Sequence, residues 1–330
     1  MSQYQIYVKT AEHCNLNCDH CFTTGSNPLK TFFNASATAS FIKKIQEYKS
    51  PDHMRLVLHG GEPLLAPLSQ LIYFCEQFSG IPLAVQTNLV YNLSENKLRF
   101  FQKYFDGVIG TSWDSKIRFK GAEEELWEKN VKTLLSSGLD VEVCICMTKY
   151  VVGIHPDEIL NKMASLGITR IILERVTEDG NAKANSVFPD YGEMDEWLYQ
   201  AYQSTSSIKI STVEEIIEGI KRGGPVGDRC RDCQQKIFTI NADGTVGGCP
   251  NSAQGDHWST IYHMPEDLFN SVQRTEDISC ELIRDIRCYR CDLFSLCNGD
   301  CHKLPWQRDT CPAPKKILRS LKNGTNTVTS

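Results

Sequence analysis

Three cysteines stand close together near the start of the chain, in the stretch AEHCNLNCDHCF. Cys14, Cys18 and Cys21 follow a C-x3-C-x2-C pattern, and the next cysteine is Cys75. A structural zinc site usually has four ligands, so His13 or His20 would have to complete one here. A cluster of four irons and four sulfides is the alternative, because three thiolates would hold three irons and leave the fourth iron open to a non-protein ligand.

A second and denser group of cysteines occupies the last third of the chain. Its spacing is C-x10-G-x4-C, followed after a gap by C-x2-C-x5-C-x3-C and a final cysteine. Iron–sulfur ligation is one interpretation, and a pair of zinc ribbons on Cys230/Cys233 and Cys288/Cys291 is the other. The candidate ligands are Cys230, Cys233, Cys249, Cys288, Cys291, Cys297, Cys301 and Cys311.

The composition limits where the protein acts and on what. The chain has 330 residues, 15 cysteines and a formal net charge of −5. It shows no secretory signal and no apolar run long enough for a membrane span, and its charge argues against general nucleic-acid binding. We therefore expect a cytoplasmic protein whose reduced thiols ligate metal. Four cysteines fit no ligand pattern and are predicted to be buried as small hydrophobic residues: Cys75, Cys144, Cys146 and Cys280.

Strands and helices alternate through the first half of the chain and must position these cysteines. Such repeats imply a parallel sheet, which right-handed crossovers restrict to an open doubly wound sheet or a barrel. In either fold, ligands gather at the carboxyl ends of strands, where the three-cysteine loop stands. Ser94 is expected to cap a helix. Strands are predicted at 4–10, 54–60, 81–88, 107–113, 141–148 and 168–175, and helices at 38–49, 68–78, 94–105, 123–137 and 156–167.

The second half of the chain is expected to differ in character. Helical patterns at 192–204 and 213–222 predict a bridge that ends at a glycine-rich break, after which the chain is loop-rich. Asp243–Gly244 suits a hairpin turn, and the basic tail at 314–324 is predicted to be a solvated helix. The predicted parts are residues 1–175, 176–229 and 230–330.

The cysteine loop, followed by the aromatic Phe22, and the HGGEP stretch after the second strand together resemble the radical S-adenosylmethionine (radical SAM) enzymes. The resemblance implies a partial TIM-like barrel of six strand–helix units and a [4Fe-4S] cluster on the three cysteines. Its open iron would bind S-adenosylmethionine, whose one-electron cleavage gives a 5'-deoxyadenosyl radical that abstracts hydrogen from a substrate. Gly60, Gly61, Glu62 and Pro63 would receive the cofactor's amino group.

Two later strand ends resemble further cofactor contacts of that family. Asn88 in QTN, and Ser112 and Asp114 in SWD, would face the ribose or the methionine carboxylate, although these residue types also favour turns. Arg118 could neutralise the carboxylate, and residues 174–175 end the sixth strand over the same opening. An ordinary surface ion pair is the alternative for these charges.

The C-terminal cysteine spacing is similar to the SPASM extension of radical SAM enzymes. That resemblance implies two auxiliary [4Fe-4S] clusters, making three clusters in all, with interleaved ligands. The short spacing to Cys233 leaves open whether Cys230 is a ligand. The first set would be Cys230, Cys233, Cys249 and Cys301, and the second Cys288, Cys291, Cys297 and Cys311.

Fully ligated auxiliary clusters would relay electrons, so the resemblance favours an oxidative reaction. Sulfatase maturases carry an Asp directly after the cysteine equivalent to Cys249, whereas this chain has Pro250. The base is therefore unassigned, with Asp256, His257 and Glu174 as candidates.

Three functions remain open from the sequence. The first is a peptide or protein maturase, served by an electron donor such as flavodoxin or ferredoxin. The second is a dehydrogenase or epimerase of a small molecule such as a sugar or aminocyclitol. The third is a non-enzymatic zinc or iron–sulfur binding module, against which the GGEP element argues.

Overall fold

The structure is a computed structural model and describes residues 3–23, 30–105, 107–225, 227–251 and 257–325. Its strands are β1 (Gln3–Ala11), β2 (His53–Gly60), β3 (Leu83–Val85), β4 (Val108–Ser112), β5 (Asp140–Met147), β6 (Arg170–Arg175), β7 (Lys209–Ile210), β8 (Ile237–Ile240), β9 (Thr245–Gly247) and β10 (Ser259–Thr260).

Its α-helices are α1 (Ala35–Lys49), α2 (Leu68–Glu76), α3 (Glu95–Tyr104), α4 (Glu123–Ser136), α5 (Lys149–Val152), α6 (Pro156–Ser165), α7 (Gly180–Asn185), α8 (Tyr191–Gln203), α9 (Ser211–Arg222), α10 (Cys233–Lys236), α11 (Pro265–Phe269), α12 (Val272–Leu282), α13 (Phe294–Cys297) and α14 (Lys315–Thr325). Short 3-10 turns span Pro63–Leu65, Gly227–Cys230 and Ile286–Arg290.

The first six strands stand side by side in chain order and run parallel. A parallel bridge between Gln86 and Gly110 joins β3 to β4. β8 pairs with the outer edge of β1, β9 and β10 follow it antiparallel, and β7 pairs with β6. Pairing of β1 with β6 is absent from the residues described. The predicted α/β fold with a parallel sheet is confirmed, and closure of a barrel is not seen.

The two faces of the sheet differ because side chains alternate along each strand. One face is apolar and fully buried, as at Ile6, Leu56 and Val143, and joins the core that the helices cover. The other face carries half-buried polar residues. It includes Gln5, Tyr7, His59, Gln86, Ser112, Cys144, Cys146 and Glu174.

The predicted helix cap and the predicted hairpin turn both form. Ser94 caps α3 by accepting the N–H of Lys97, and the Asp243–Gly244 turn joins β8 to β9 with Gly244 at φ +90°. The tail forms α14 as predicted but is not simply solvated, because Ile317 is buried with the main core. No helix in the described ranges has both the length and the apolar character to cross a membrane.

Candidate functional site

The three-cysteine loop leaves β1 and packs against the end of β2. The N–H of Gly61 donates to the carbonyl of Ala11 at 2.8 Å, and that of Glu62 donates to the carbonyl of His13 at 3.1 Å. A Cβ atom on Gly60 would lie 2.4 Å from the Ala11 oxygen, and one on Gly61 would lie 2.3 Å from the His13 oxygen. The sequence predicts that a ligand approaches these glycines, whereas the end of β1 fills the space beside Gly60 and the cysteine loop fills the space beside Gly61.

Each thiol of the loop has a different neighbour. The Cys14 sulfur accepts the N–H of Leu16 at 3.3 Å and the Asn88 side-chain amide at 3.5 Å. The Cys18 sulfur lies 4.0 Å from the Arg118 carbonyl oxygen. Burial raises the pKa of Cys14 to about 12 and that of Cys18 to about 11. Without a bound cation nearby, both groups are therefore neutral thiols at neutral pH.

The spacing of the sulfurs distinguishes two kinds of metal site. Thiolates on one zinc ion lie about 4 Å apart, since each zinc–sulfur bond is about 2.3 Å. Throughout the described parts of the chain, no three candidate cysteines bring their sulfurs within 4.8 Å of one another. A four-iron cluster binds each thiolate on a different iron, so its thiolates stand farther apart. In the described residues the sulfurs of the two cysteine groups are therefore not drawn together as they are around a single zinc ion. Iron–sulfur ligation by these groups stays a prediction.

Glu62 ties the end of β2 to the segment after β3. Its carboxylate is fully buried and accepts the N–H groups of Leu64 and Asn88 and the hydroxyl of Thr87, at 2.7 to 2.9 Å. Burial raises the pKa of Glu62 to about 7. Glu62 thus binds its own chain, and a further contact with the cofactor's ammonium stays a prediction, as does any cofactor contact of Pro63, which begins the next 3-10 turn.

Asn88 and Ser112 extend this connection along the strand ends. The Asn88 amide donates to the Asn15 side chain at 2.8 Å, so the end of β3 also holds the cysteine loop. The Ser112 hydroxyl accepts from the Gln86 amide at 2.9 Å. The predicted roles of both residues toward the cofactor remain predictions.

Phe22 begins a row of rings on the polar face. Its ring centroid lies 5.9 Å from that of His59, and the His59 centroid lies 5.7 Å from that of Tyr7. This row of three rings, here called the aromatic wall, connects the cysteine loop to the polar face of the sheet.

Asp114 and Arg118 form a buried network with His20. The Arg118 guanidinium lies 2.6 Å and the His20 Nε2 lies 3.2 Å from Asp114 Oδ2, while Oδ1 accepts the N–H of Cys146 at 2.6 Å. Burial by itself would lower the pKa of His20, but the Asp114 carboxylate and the Cys146 side chain together outweigh burial and raise that pKa to about 10. The alternative of a surface ion pair is wrong, because Asp114 is 1% exposed.

Cys146 is a site residue that the sequence argument missed. The side chains of Cys144 and Cys146 are half-buried on the polar face, and Cys146 packs against a small apolar cluster with Val176 and Ala182, whereas Cys75 is fully buried as predicted. The Cys146 sulfur and the ligand atoms of His20 and Asp114 lie within 4.8 Å of one another. Arg118 already occupies this position, so we do not assign a metal ion to it. The sequence did contain a signal for this position. Cys144 and Cys146 alternate with Val143 and Ile145 along β5, so the cysteines lie on the opposite face of the strand from these buried residues.

A buried arginine joins the segments that carry the first auxiliary set. Arg231 donates to the carbonyls of Glu281, Ile283, Gly299 and Asp300. It thereby fixes the turn with Cys230 and Cys233 against the residues before Cys301.

Glu281 and Gln234 complete the connection within that set. The Glu281 carboxylate accepts the N–H of Cys233 at 2.9 Å, and the Gln234 side chain accepts that of Cys249 at 3.3 Å. The structure thus brings the segments of the first predicted set together. Its ligand assignment, including that of Cys230, stays a prediction.

The second predicted set lies around the 3-10 turn and α13. The N–H of Cys291 donates to the carbonyl of Cys288 at 3.0 Å, and Cys311 lies close enough to raise the pKa of both Cys288 and Cys297 after the larger effect of burial. Cys280, in contrast, is exposed on α12. The prediction that it is buried is wrong, because the helix turns it away from the core.

The candidate bases occupy different places. Glu174 is half-buried on the polar face and stands beside Cys146 in the β5–β6 register. Its neighbour Arg175 forms an ion pair with buried Asp300, next to Cys301. His257 is exposed, and Asp256 lies outside the described residues.

No family model and no curated protein matches the sequence. Solved structures do match. The structure of anSMEcpe with bound AdoMet and Cp18Cys peptide is 17% identical with a TM-score of 0.79, covering 99% of this chain and 100% of that chain.

Streptococcus suis SuiB matches at 12% identity over 92% of this chain. SuiB bound to S-adenosylmethionine has a TM-score of 0.65 over 73% of its own length, and SuiB bound to precursor peptide SuiA has 0.62 over 72%. At these identities the likeness concerns the fold. This chain therefore has the fold of these radical SAM structures.

Proposed function

We propose that the chain is a radical SAM enzyme with a SPASM-type C-terminal domain, which holds three [4Fe-4S] clusters and oxidatively modifies a peptide or protein side chain. The cysteine loop carries the proposal. It offers three thiols at the carboxyl end of β1, directly against the GGEP element of β2, in a fold shared with structures that bind AdoMet. In this proposal the six parallel strands form a partial barrel.

Cys14, Cys18 and Cys21 would hold the first cluster, which supplies the electron that cleaves S-adenosylmethionine to a 5'-deoxyadenosyl radical. The protein's own contribution is to keep these thiols in place and to shield them. Bonds from Gly61 and Glu62 hold the loop against β2, and the Asn88 amide contacts the Cys14 sulfur. The proposed domains are the barrel at 1–175, the bridge at 176–229 and the SPASM domain at 230–330.

The polar face of the sheet supports a substrate rich in hydrogen-bonding groups. Tyr7, Gln86 and Glu174 are half-buried there, and the aromatic wall lies beside them. The peptide complexes of anSMEcpe and SuiB favour a peptide for the same space. Because Pro250 follows Cys249, we do not propose the sulfatase-maturase reaction.

Anaerobic reconstitution tests the cofactor chemistry. The full chain, loaded with iron and sulfide and reduced in the presence of S-adenosylmethionine, should form 5'-deoxyadenosine, as measured by liquid chromatography and mass spectrometry. A Cys14→Ala variant should form none while retaining the C-terminal iron. Cys75→Ala is the control, because Cys75 is buried in α2 away from both cysteine groups. A fully loaded protein that forms no 5'-deoxyadenosine would contradict the proposal.

The substrate class has a separate test. A short peptide encoded beside the gene should lose two hydrogens, or gain an internal crosslink with the same mass change, when added to the reduced enzyme with S-adenosylmethionine. Tandem mass spectrometry locates the change. Turnover of an aminocyclitol with no change in any peptide would instead favour the small-molecule enzyme.

A further inference from the structure

The carboxylate of Asp114 is held entirely by groups of the chain itself. Arg118 lies against Oδ2 at 2.6 Å, His20 lies 3.2 Å from the same oxygen, and the N–H of Cys146 donates to Oδ1. The Arg118 side chain is 11% exposed and the His20 side chain 5%. Both oxygens of Asp114 are thus engaged, and two of its partners are the buried basic side chains of Arg118 and His20.

This network contacts the cysteine loop around Cys18. His20 is part of the loop, two residues after Cys18. The carbonyl of Ile117 accepts the N–H of Asp19 at 3.2 Å, and the Arg118 carbonyl lies 4.0 Å from the Cys18 sulfur. The segment after β4 therefore meets the loop through its backbone and through the Asp114 carboxylate.

The opposite side of the same stretch is held by α7. The Asn181 side chain donates to the Cys18 carbonyl at 3.1 Å, and the Asn185 side chain donates to the Asp19 carbonyl at 3.1 Å. A Cβ on Gly180 would lie 2.4 Å from the Phe22 carbonyl oxygen, so α7 touches the loop directly. Cys18 thus lies between two anchors, of which only the β4 side has buried charges.

The other two thiols depend on different groups. Cys14 contacts Asn88 and Leu16, and Cys21 lies 3.2 Å from the Thr23 hydroxyl. A change at Asp114 should therefore act first on Cys18.

We infer that Asp114 is a positioning residue, which acts through Arg118 and His20 to fix the backbone that presents the Cys18 thiol to the first cluster. This inference rests on the proposed function. It differs from the sequence-based expectation that Asp114 itself contacts S-adenosylmethionine. Groups that orient metal ligands without touching the metal commonly change metal affinity by about 10-fold to 100-fold when replaced.

The test compares Asp114→Asn with wild type in the full, anaerobically reconstituted chain. The readouts are bound iron and the electron paramagnetic resonance spectrum of the reduced protein, with and without S-adenosylmethionine. We expect an about 10-fold to 100-fold weaker retention of the first cluster during chelator titration, with unchanged auxiliary signals. Asp114→Glu, which keeps the charge, should recover part of this retention.

Asp277→Asn is the matched control. Asp277 accepts a hydrogen bond from the Trp258 indole at 2.6 Å in the C-terminal region, so the substitution perturbs an acidic acceptor without touching the loop. If Asp114→Asn fails to fold, the double variant Asp114→Asn/Arg118→Gln removes the unpaired buried cation and should still show weak retention.

Wild-type retention in a folded Asp114→Asn variant would overturn the inference. A second outcome would also overturn it. If the variant retains the cluster normally but needs more S-adenosylmethionine for the half-maximal spectral change, Asp114 contacts the cofactor directly. A wild-type protein without any S-adenosylmethionine-sensitive signal would instead refute the proposed function.

Discussion

Two regions of the molecule contain clustered thiols but are held in place by different means. One is the loop with Cys14, Cys18 and Cys21, and the other is the region from residue 230 onward. The loop lies on a sheet with an extensive apolar core and is bonded to β2, to the segment after β4 and to α7. In the C-terminal region, residues 283–311 form a 3-10 turn and the four-residue helix α13. Between residues 280 and 311 the buried large aliphatic side chains are Leu293 and Leu304.

In the proposed enzyme, this difference separates a preformed site from one whose fold depends on its metal. A loop with partners on three sides should keep its shape before iron arrives. A segment with little apolar burial needs bound metal as part of its folding free energy.

Removal of iron should unfold one region more than the other. We expect residues 280–311 to lose most amide protection in the chelated protein, while β1, β2 and β5 keep theirs. Hydrogen exchange measured by mass spectrometry on loaded and iron-free protein gives both regions in one experiment. If residues 280–311 are equally protected in the loaded and iron-free forms, their fold does not depend on metal and the contrast with the loop is wrong.

Arg231→Met should be the most damaging single substitution in the C-terminal region. It removes hydrogen bonds to four carbonyls, of which those of Glu281 and Asp300 are buried. We expect the free energy of unfolding to fall by about 3–5 kcal/mol. Denaturant unfolding under anaerobic conditions, with iron analysis, measures the effect. Arg319→Met is the control, since Arg319 is exposed with a 3.6 Å ion pair, and it should change stability by about 0.5 kcal/mol or less.

Gly61→Ala should damage the loop through shape alone. The added methyl group would meet the His13 carbonyl, and we expect a loss of about 1–3 kcal/mol together with reduced S-adenosylmethionine cleavage. Gly224→Ala is the matched control, because its Cβ would meet no atom within 4 Å. If the two variants have the same melting temperature and the same rate of S-adenosylmethionine cleavage, the loop can shift to accommodate the methyl group at little cost.

Cys280→Ser should have the smallest effect. Cys280 is exposed and lies outside both predicted ligand sets, so stability should change by about 0.5 kcal/mol or less and bound iron should stay constant. Iron analysis and denaturant unfolding check this. A loss of iron would show that Cys280 is a ligand, and the two predicted ligand sets of the C-terminal region would have to be revised.

Local patterns predicted the parallel strands, Ser94 as a cap and the hairpin at Asp243–Gly244, because each depends on neighbouring residues. The partners of Asp114 could not be predicted in the same way. His20 and Cys146 lie 94 and 32 positions away along the chain, and only the sheet brings them together. The glycines of GGEP show a similar limit, since the atoms that exclude a Cβ belong to the end of β1 for Gly60 and to the loop after β1 for Gly61.

The pairing of β8 with β1 has a consequence for the order in which the protein can fold. Residues 5–8 of β1, just before the cysteine loop, pair along one edge with residues 237–240 of β8. During synthesis that edge of β1 stays open until more than two thirds of the chain has left the ribosome. An exposed strand edge invites pairing with other chains. Fragments that stop at the predicted bridge should therefore aggregate, although they contain all six central strands.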